Sequence, residues 1–242
     1  MRQPRFWIIA SCFVLTCCGS VPQISLSGLV KELGGADGLA DAQVCLAGIE
    51  LEECVTTQSD GTYTFSAVPG NSEISLTVDK PGYLGGVIPV SDAFLAIEPP
   101  PASEVVPVIS LGSSILVDLQ MGILDVDALA DTGQVAFSIS NGVNGDGINV
   151  ADMRVSLIPS GGDGPFYSNE GGLPDPGLEQ TSANGGGVFV NLAPGRYTLN
   201  HLNLPQNCTP MLGWGEASAI TFEVMVNRVT YARVECMEPS SP

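Results

Sequence analysis

The sequence is poor in positive charge and nearly devoid of histidine. Its 242 residues carry 8 Lys and Arg against 26 Asp and Glu, a formal net charge of −18, and one histidine, His201. So acidic a surface repels a phosphate backbone, which excludes nucleic acid as an expected partner. Solubility or a saline habitat is the simpler reading of the charge, and divalent-cation binding the functional one. A lone histidine leaves little for a serine or cysteine triad. No G-x-S-x-G elbow occurs, and His201 follows Leu199 and Asn200 at an expected strand end, where a structural or exposed role is the simpler one. Neither Cys-x-x-Cys nor paired histidines offer a zinc site. The 26 carboxylates leave a glycosidase-type pair open, but no two stand out.

Long apolar runs are also scarce. The one of note follows Arg2 and Arg5, from Phe6, Trp7, Ile8, Ile9 and Ala10 to Phe13, Val14 and Leu15. It is too short for a permanent membrane span and suits a secretory signal over residues 1–17. The run closes on Leu15-Thr16-Cys17-Cys18-Gly19, which resembles a bacterial lipobox. That resemblance implies lipidation of Cys18, with Cys17 as the alternative, and an exported chain anchored to a bacterial membrane, the outer one expected. An ordinary cleaved signal with incidental cysteines is the competing reading. Acyl burial would contribute about 0.8 kcal/mol per CH₂. Loss of Arg2 and Arg5 with the signal leaves six basic residues against 26 acidic, hence −20.

Glycine and proline are plentiful, 29 and 18 residues, and punctuate runs of Val, Ile, Leu and Thr. Many short strands joined by tight turns follow, and the length accommodates two domains of about 100 residues. One phrase occurs twice: T-Q-S-D-G-T-Y-T-F-S-A-V-P-G over residues 57–70 and T-S-A-N-G-G-G-V-F-V-N-L-A-P-G over 181–195. Asp60-Gly61 and Asn184-Gly185 tolerate positive φ and sit among strand-forming residues, which predicts β-hairpin turns. The period of two then puts Tyr63, Phe65 and Val68, and Phe189 with Leu192, on core-facing sides. Pro69-Gly70 and Pro194-Gly195 stop each strand.

With Gly28-Leu29-Val30, Val44-Cys45-Leu46 and Lys80-Pro81-Gly82-Tyr83 added, the first phrase resembles the carboxypeptidase regulatory-like domain. That family implies a small transthyretin-like β-sandwich. The second copy carries Gly133-Gln134-Val135, Val155-Ser156-Leu157 and Gly195-Arg196-Tyr197, but has an insertion over residues 160–179 and no closing Gly-Tyr. The expected fold is all-β: two tandem transthyretin-like or Ig-like Greek-key β-sandwiches after a lipoprotein signal. Residues 19–90 form the first domain, 91–132 a connector, and 133–238 the second, diverged domain.

Setting Cys12, Cys17 and Cys18 aside leaves Cys45, Cys54, Cys208 and Cys236, two per expected domain. In an exported chain an even remainder predicts disulfides. If Val44, Leu46 and Val55 face the core, Cys45 and Cys54 share the outer face of one hairpin and can bridge. Cys208 would then join Cys236.

In the connector, Pro99-Pro100-Pro101 reads as an extended segment. Ile115, Leu119 and Ile123 recur every four residues, which predicts a short helix packing between the domains, a buried strand being the alternative. A terminal hairpin is expected from residues 221–226, a turn at Asn227-Arg228, and residues 229–234.

Three regions are candidate sites. Residues 141–152 alternate Asn, Asp and Gly and resemble the calcium loop of dockerin modules, which nominates Asn144, Asp146 and Asp152. Gly142 stands where the first Asp belongs and one residue is missing before Asp152, so a plain Asn/Gly loop is the simpler reading. Calcium is the one cofactor considered. Trp214, between Gly213 and Gly215, either stacks on sugar or protein or packs over the Cys208 bridge. Phe166 and Tyr167 lie in the 160–179 insertion, expected as a surface loop that binds or is merely tolerated. The expected function is non-enzymatic: display of loops at the envelope for contact with protein or polysaccharide. An accessory carbohydrate-binding protein and a hydrolase with unrecognised carboxylates are the alternatives.

Overall fold

A computed structural model of the chain describes residues 23–48, 53–69, 73–91, 108–141 and 150–237. Cys17, Cys18, residues 99–101, Asn144 and Asp146 lie outside them.

The first half of the chain supplies β1 (Gln23–Glu32), β2 (Gln43–Ala47), β3 (Cys54–Thr56), β4 (Thr62–Pro69), β5 (Ile74–Asp79), β6 (Gly85–Val90) and β7 (Val108–Leu111). After helix α1 (Ser114–Leu124) come β8 (Gly133–Asn141), β9 (Arg154–Ile158), β10 (Asp163–Ser168), β11 (Pro174–Asp175) and β12 (Gly186–Leu192). The chain continues through β13 (Gly195–Leu202), β14 (Cys208–Leu212), β15 (Trp214–Glu216), β16 (Ala219–Val224) and β17 (Arg228–Cys236). Apart from α1 the described chain is all-β, in sandwich-like sheets.

The pairings of the first half recur in the second. Strand β1 lies between antiparallel β4 and parallel β7, and β8 between antiparallel β12 and parallel β17. The facing layers run β2-β5-β6 and β9-β13-β16, antiparallel throughout. Alternation of strand residues fills a core between each pair of layers. One core gathers Val44, Leu46, Tyr63, Phe65, Leu76 and Leu111, and the other Val135, Phe137, Leu157, Phe189, Leu199 and Phe222. Residues 91–132, expected as a connector, include β7, whose Ile109 and Leu111 belong to the first core.

The repeated phrase accounts for this likeness bond by bond. Thr57 Oγ1 accepts from Ala42 N at 2.9 Å and donates to Leu39 O at 2.6 Å; Thr181 Oγ1 accepts from Met153 N at 3.0 Å and donates to Val150 O at 2.8 Å. Around them Asp41 N donates to Thr57 O, and Asp152 N to Thr181 O. Val30 N donates to Gly61 O, and Ile139 N to Gly185 O. Each threonine thus satisfies a buried amide and carbonyl that no strand ladder reaches.

Both turns differ from the hairpins expected. Neither Asp60-Gly61 nor Asn184-Gly185 joins two paired strands: β3 pairs with β2, while β4 pairs with β1 in another sheet. The turn is an arch between layers, fixed by its bonds to the first strand of each half. The terminal hairpin fails for the same reason. Asn227 makes the turn, at φ 55°, but β16 pairs with β13 and β15, while β17 pairs with β8, β14 and β6. The 160–179 insertion is not a simple loop either. It forms β10 and β11, which extend the sheet beyond β12.

The largest departure is the sheet that runs through both halves. Ten strands follow the order β11-β10-β12-β8-β17-β14-β6-β5-β2-β3, and β17 also pairs directly with β6, Arg228 opposite Gly85 to Thr230 opposite Val87. Both disulfides form, each between cross-strand partners: Cys45 to Cys54 on β2 and β3, and Cys208 to Cys236 on β14 and β17.

Candidate functional site

A cleft of about 570 Å³ opens where the halves meet, between Glu73 and Ser75 at the start of β5 and Arg196, Trp214 and Glu223 of the second half. The Gly-Trp-Gly step builds one wall. Gly213 (φ 122°) and Gly215 (φ 98°) occupy backbone regions that side chains disfavour. Gly213 N donates to Pro89 O at 2.9 Å, so the bend is tied to the first half. Trp214 is 9% exposed, and its indole N–H donates to Val90 O at 3.1 Å.

Arg196 spans the cleft. Its guanidinium makes a two-pronged bond to Glu73, 2.8 and 2.7 Å, and lies 5.3 Å from the centre of the Trp214 ring. The hydrogen bond from Arg196 holds the Glu73 carboxyl below its usual range, and Glu73 with Glu223 raises the guanidinium. Arg196 and Glu73 are about half exposed, so the pair is worth at most about 1 kcal/mol, and the ring contact about as much again. Arg228 to Asp79 (2.7 Å) is a second ion pair between the halves, joined by Ser91 Oγ to Pro210 O (2.8 Å) and Tyr231 Oη to Ser110 O (2.5 Å). Burial pushes the Tyr231 hydroxyl up to about 12, so it stays protonated and a donor.

The nominated residues are dispersed. Trp214 lines the cleft, but with its ring beside Arg196 and its N–H engaged it is no open stacking platform. Tyr167 is a core residue, edge-on to Phe137 at 5.9 Å, and its hydroxyl accepts from Val155 N at 3.1 Å. Phe166 packs with Val188 beside Val190, Met121 and Leu124, under α1. Their burial, not exposure on a loop, follows from the pairing of β10 with β12. Asp152 (φ 63°) holds the turn position that Asp41 (φ 55°) holds in the first half, and its carboxylate accepts from Gln180 Nε2 at 2.6 Å. Among the described residues no group of three or more His, Cys, Asp or Glu is placed to hold a metal.

His201 is buried in β13, opposite Val155, and away from the cleft. Neither ring nitrogen has a hydrogen-bond partner among the described residues. Burial lowers its pKa to about 4; the Ala217 backbone opposes the shift without a bond of good geometry. The neutral ring is thus favoured and, among the described residues, is hydrogen-bonded to no nucleophile. Sequence reasoning missed Glu73, Arg196 and Glu223. Arg196 carried a faint signal, directly after the Pro194-Gly195 stop, but its partner is 123 residues away.

No family model matches the chain, and no curated protein matches it. Among solved structures it is similar to GBS52, the minor pilin of Streptococcus agalactiae, at 11% identity and TM-score 0.30, over 90% of this chain and 97% of that one. It is similar to the shaft pilin SpaA from Lactobacillus rhamnosus GG at 12% and 0.27, over 91% and 100%. It is also similar to the full-length major pilin SpaD from Corynebacterium diphtheriae at 18% and 0.24, over 43% and 30%. Likenesses this remote carry no argument about function. Among the described residues no helix is long and apolar enough to cross a membrane.

Proposed function

We propose that the chain is a non-enzymatic protein of the bacterial envelope, two tandem modules of the carboxypeptidase regulatory-like, transthyretin-like kind that display surfaces to protein or polysaccharide. The duplicated hydrogen-bond set around Thr57 and Thr181 supports the two modules. The reading is carried by one observation: a single ten-stranded sheet joins the halves, and one disulfide within each half braces it, which makes a stiff scaffold. Export through residues 1–17 and acylation of Cys18 fit the disulfides, which need an oxidising compartment. Labelled palmitate should enter the wild-type protein and not Cys18→Ala. The purified chain should show no turnover of glycoside, ester or peptide substrates, and cross-linking on cells should join it to an envelope protein or polysaccharide. Turnover abolished by one Asp or Glu substitution would restore the hydrolase reading.

The cleft favours a second reading, an accessory carbohydrate-binding protein. A sugar there would meet Glu223, Ser75 and the edge of Trp214 rather than an open ring. Binding on a glycan array that Glu223→Gln reduces without changing the melting temperature would support it, and an empty array would dismiss it.

A further inference from the structure

Helix α1 turns the stripe that its sequence spacing singled out toward solvent. Ile115 is 82% exposed, Leu119 57% and Ile123 39%, while Met121 and Leu124 face inward. The outward side chains recur every turn and cover about 12 Å of the axis. Gly122 lies on the same side, since three and seven residues bring it back beside Leu119 and Ile115. A Cβ there would meet nothing within 4 Å, so no internal contact requires glycine at a helical position where it is unfavourable. What the missing side chain does provide is room for a second backbone to approach the stripe.

Charge narrows what can approach. Residues 114–131 contain Asp118, Asp125, Asp127 and Asp131, all exposed, and no Lys or Arg. The last turn of α1 has no basic residue, although the partial negative charge of a helix C-terminus favours a cation there. A second copy of the chain would set these carboxylates against their own kind, and anionic headgroups would be repelled by them.

We propose that this face docks an amphipathic helix of a partner protein, with its apolar ridge against Ile115, Leu119 and Ile123 and flanking Lys or Arg side chains against the four aspartates. One apolar residue per turn suits the ridge of another helix, and the flanking cations set orientation. The docking is independent of the envelope anchor and of the cleft.

The test uses the full chain and two synthetic helical peptides with the same leucine ridge, one flanked by lysines and one by glutamates. Anisotropy at 50 and 200 mM salt should show the lysine peptide binding at least tenfold more tightly, with salt weakening it. Leu119→Ser should weaken it at least tenfold. Gly122→Glu separates docking from general attraction: the added negative charge would strengthen a diffuse interaction, whereas a filled gap should weaken docking at least tenfold, with the melting temperature unchanged. Asp118→Asn with Asp125→Asn should flatten the salt dependence. The proposal is overturned by no binding, by equal binding of both peptides, or by binding that Gly122→Glu leaves intact. It is equally overturned by a Leu119-dependent dimer in sedimentation, or by flotation with phosphatidylcholine and phosphatidylglycerol vesicles that Leu119→Ser abolishes.

Discussion

The two halves share their turn chemistry but differ in packing. Thr57 and Thr181 make the same bonds, yet the glycine that each sheet places beneath an aromatic ring has changed strands. In the first half Gly28 on β1 lies opposite Tyr63 on β4; in the second, Gly187 on β12 lies opposite Phe137 on β8. A Cβ would fall 2.3 Å from Tyr63 Oη in one and 2.4 Å from Phe137 Cζ in the other. Hydrogen bonds depend on direction and leave few solutions at an arch, whereas volume can be supplied from either strand of a pair. The bridges differ as well. Cys45 and Cys54 are 9 residues apart and pin the outermost strand of the long sheet, while Cys208 and Cys236 are 28 apart and join its middle strands.

The largest effect expected to separate the halves is loss of a disulfide. From loop length alone, replacing Cys208 and Cys236 with alanine should cost about 3.6 kcal/mol, and replacing Cys45 and Cys54 about 2.6. Urea denaturation measures both, and an equal or reversed order would mean that loop length is not what distinguishes them.

The contribution of histidine to acid sensitivity should fall on the second half alone, because His201 is the chain's one histidine. Its native pKa, about 4, lies below the unfolded value of about 6.5, so the unfolded chain takes up a proton first as pH falls. The stability from this group is whole above about pH 6.5, declines as pH falls toward 4, and is lost below that. The full difference is about 3 kcal/mol. Urea midpoints of wild type and His201→Leu should draw apart between pH 7.5 and 4.5, the wild type falling further, because only its buried ring must stay unprotonated to fold; parallel curves would show that the ring is solvated or paired.

Thr57→Val and Thr181→Val sharpen the likeness. Each leaves a buried amide unpaired, at Ala42 or Met153, and should cost about 2 kcal/mol. A cost confined to one half would break the equivalence. Of similar size, Gly28→Ala and Gly187→Ala should each cost about 1–3 kcal/mol through overpacking, with Gly187 the worse because the Phe166 carbonyl, 2.7 Å from the added carbon, is backbone and cannot swing away. Tyr63→Phe should be neutral or stabilising, since the buried Tyr63 hydroxyl has no partner among the described residues. A loss above 1 kcal/mol would reveal a bonded hydroxyl.

What could be foreseen was local. Turn residues, the alternation that buries Tyr63, Phe65 and Phe189, and the cross-strand cysteines follow from neighbours a few positions away. Glu73 with Arg196, and β6 with β17, depend on segments more than a hundred residues apart, and no periodicity announces them. The helix shows the boundary between the two. Its spacing was legible, but its orientation was set by Phe166, Val188 and Val190, and Phe166 belongs to a segment whose Gly, Pro and Asp content disguised a strand. The site suffered most, because Trp214 acquires its meaning from Val90 and Arg196 rather than from the glycines beside it.

The position of β17 has a consequence in time. The last described strand lies against residues 85–87 of β6, so a chain that emerges N-terminus first leaves that stretch of the edge unpaired until Arg228–Thr230 arrive, β14 reaching β6 only at Val90. Such an edge is open to wrong pairing, and long-range closure is slow. A chain truncated before Arg228 would therefore lose more than its second half: it would leave the first with an unfinished border, ready to recruit whatever strand reached it first.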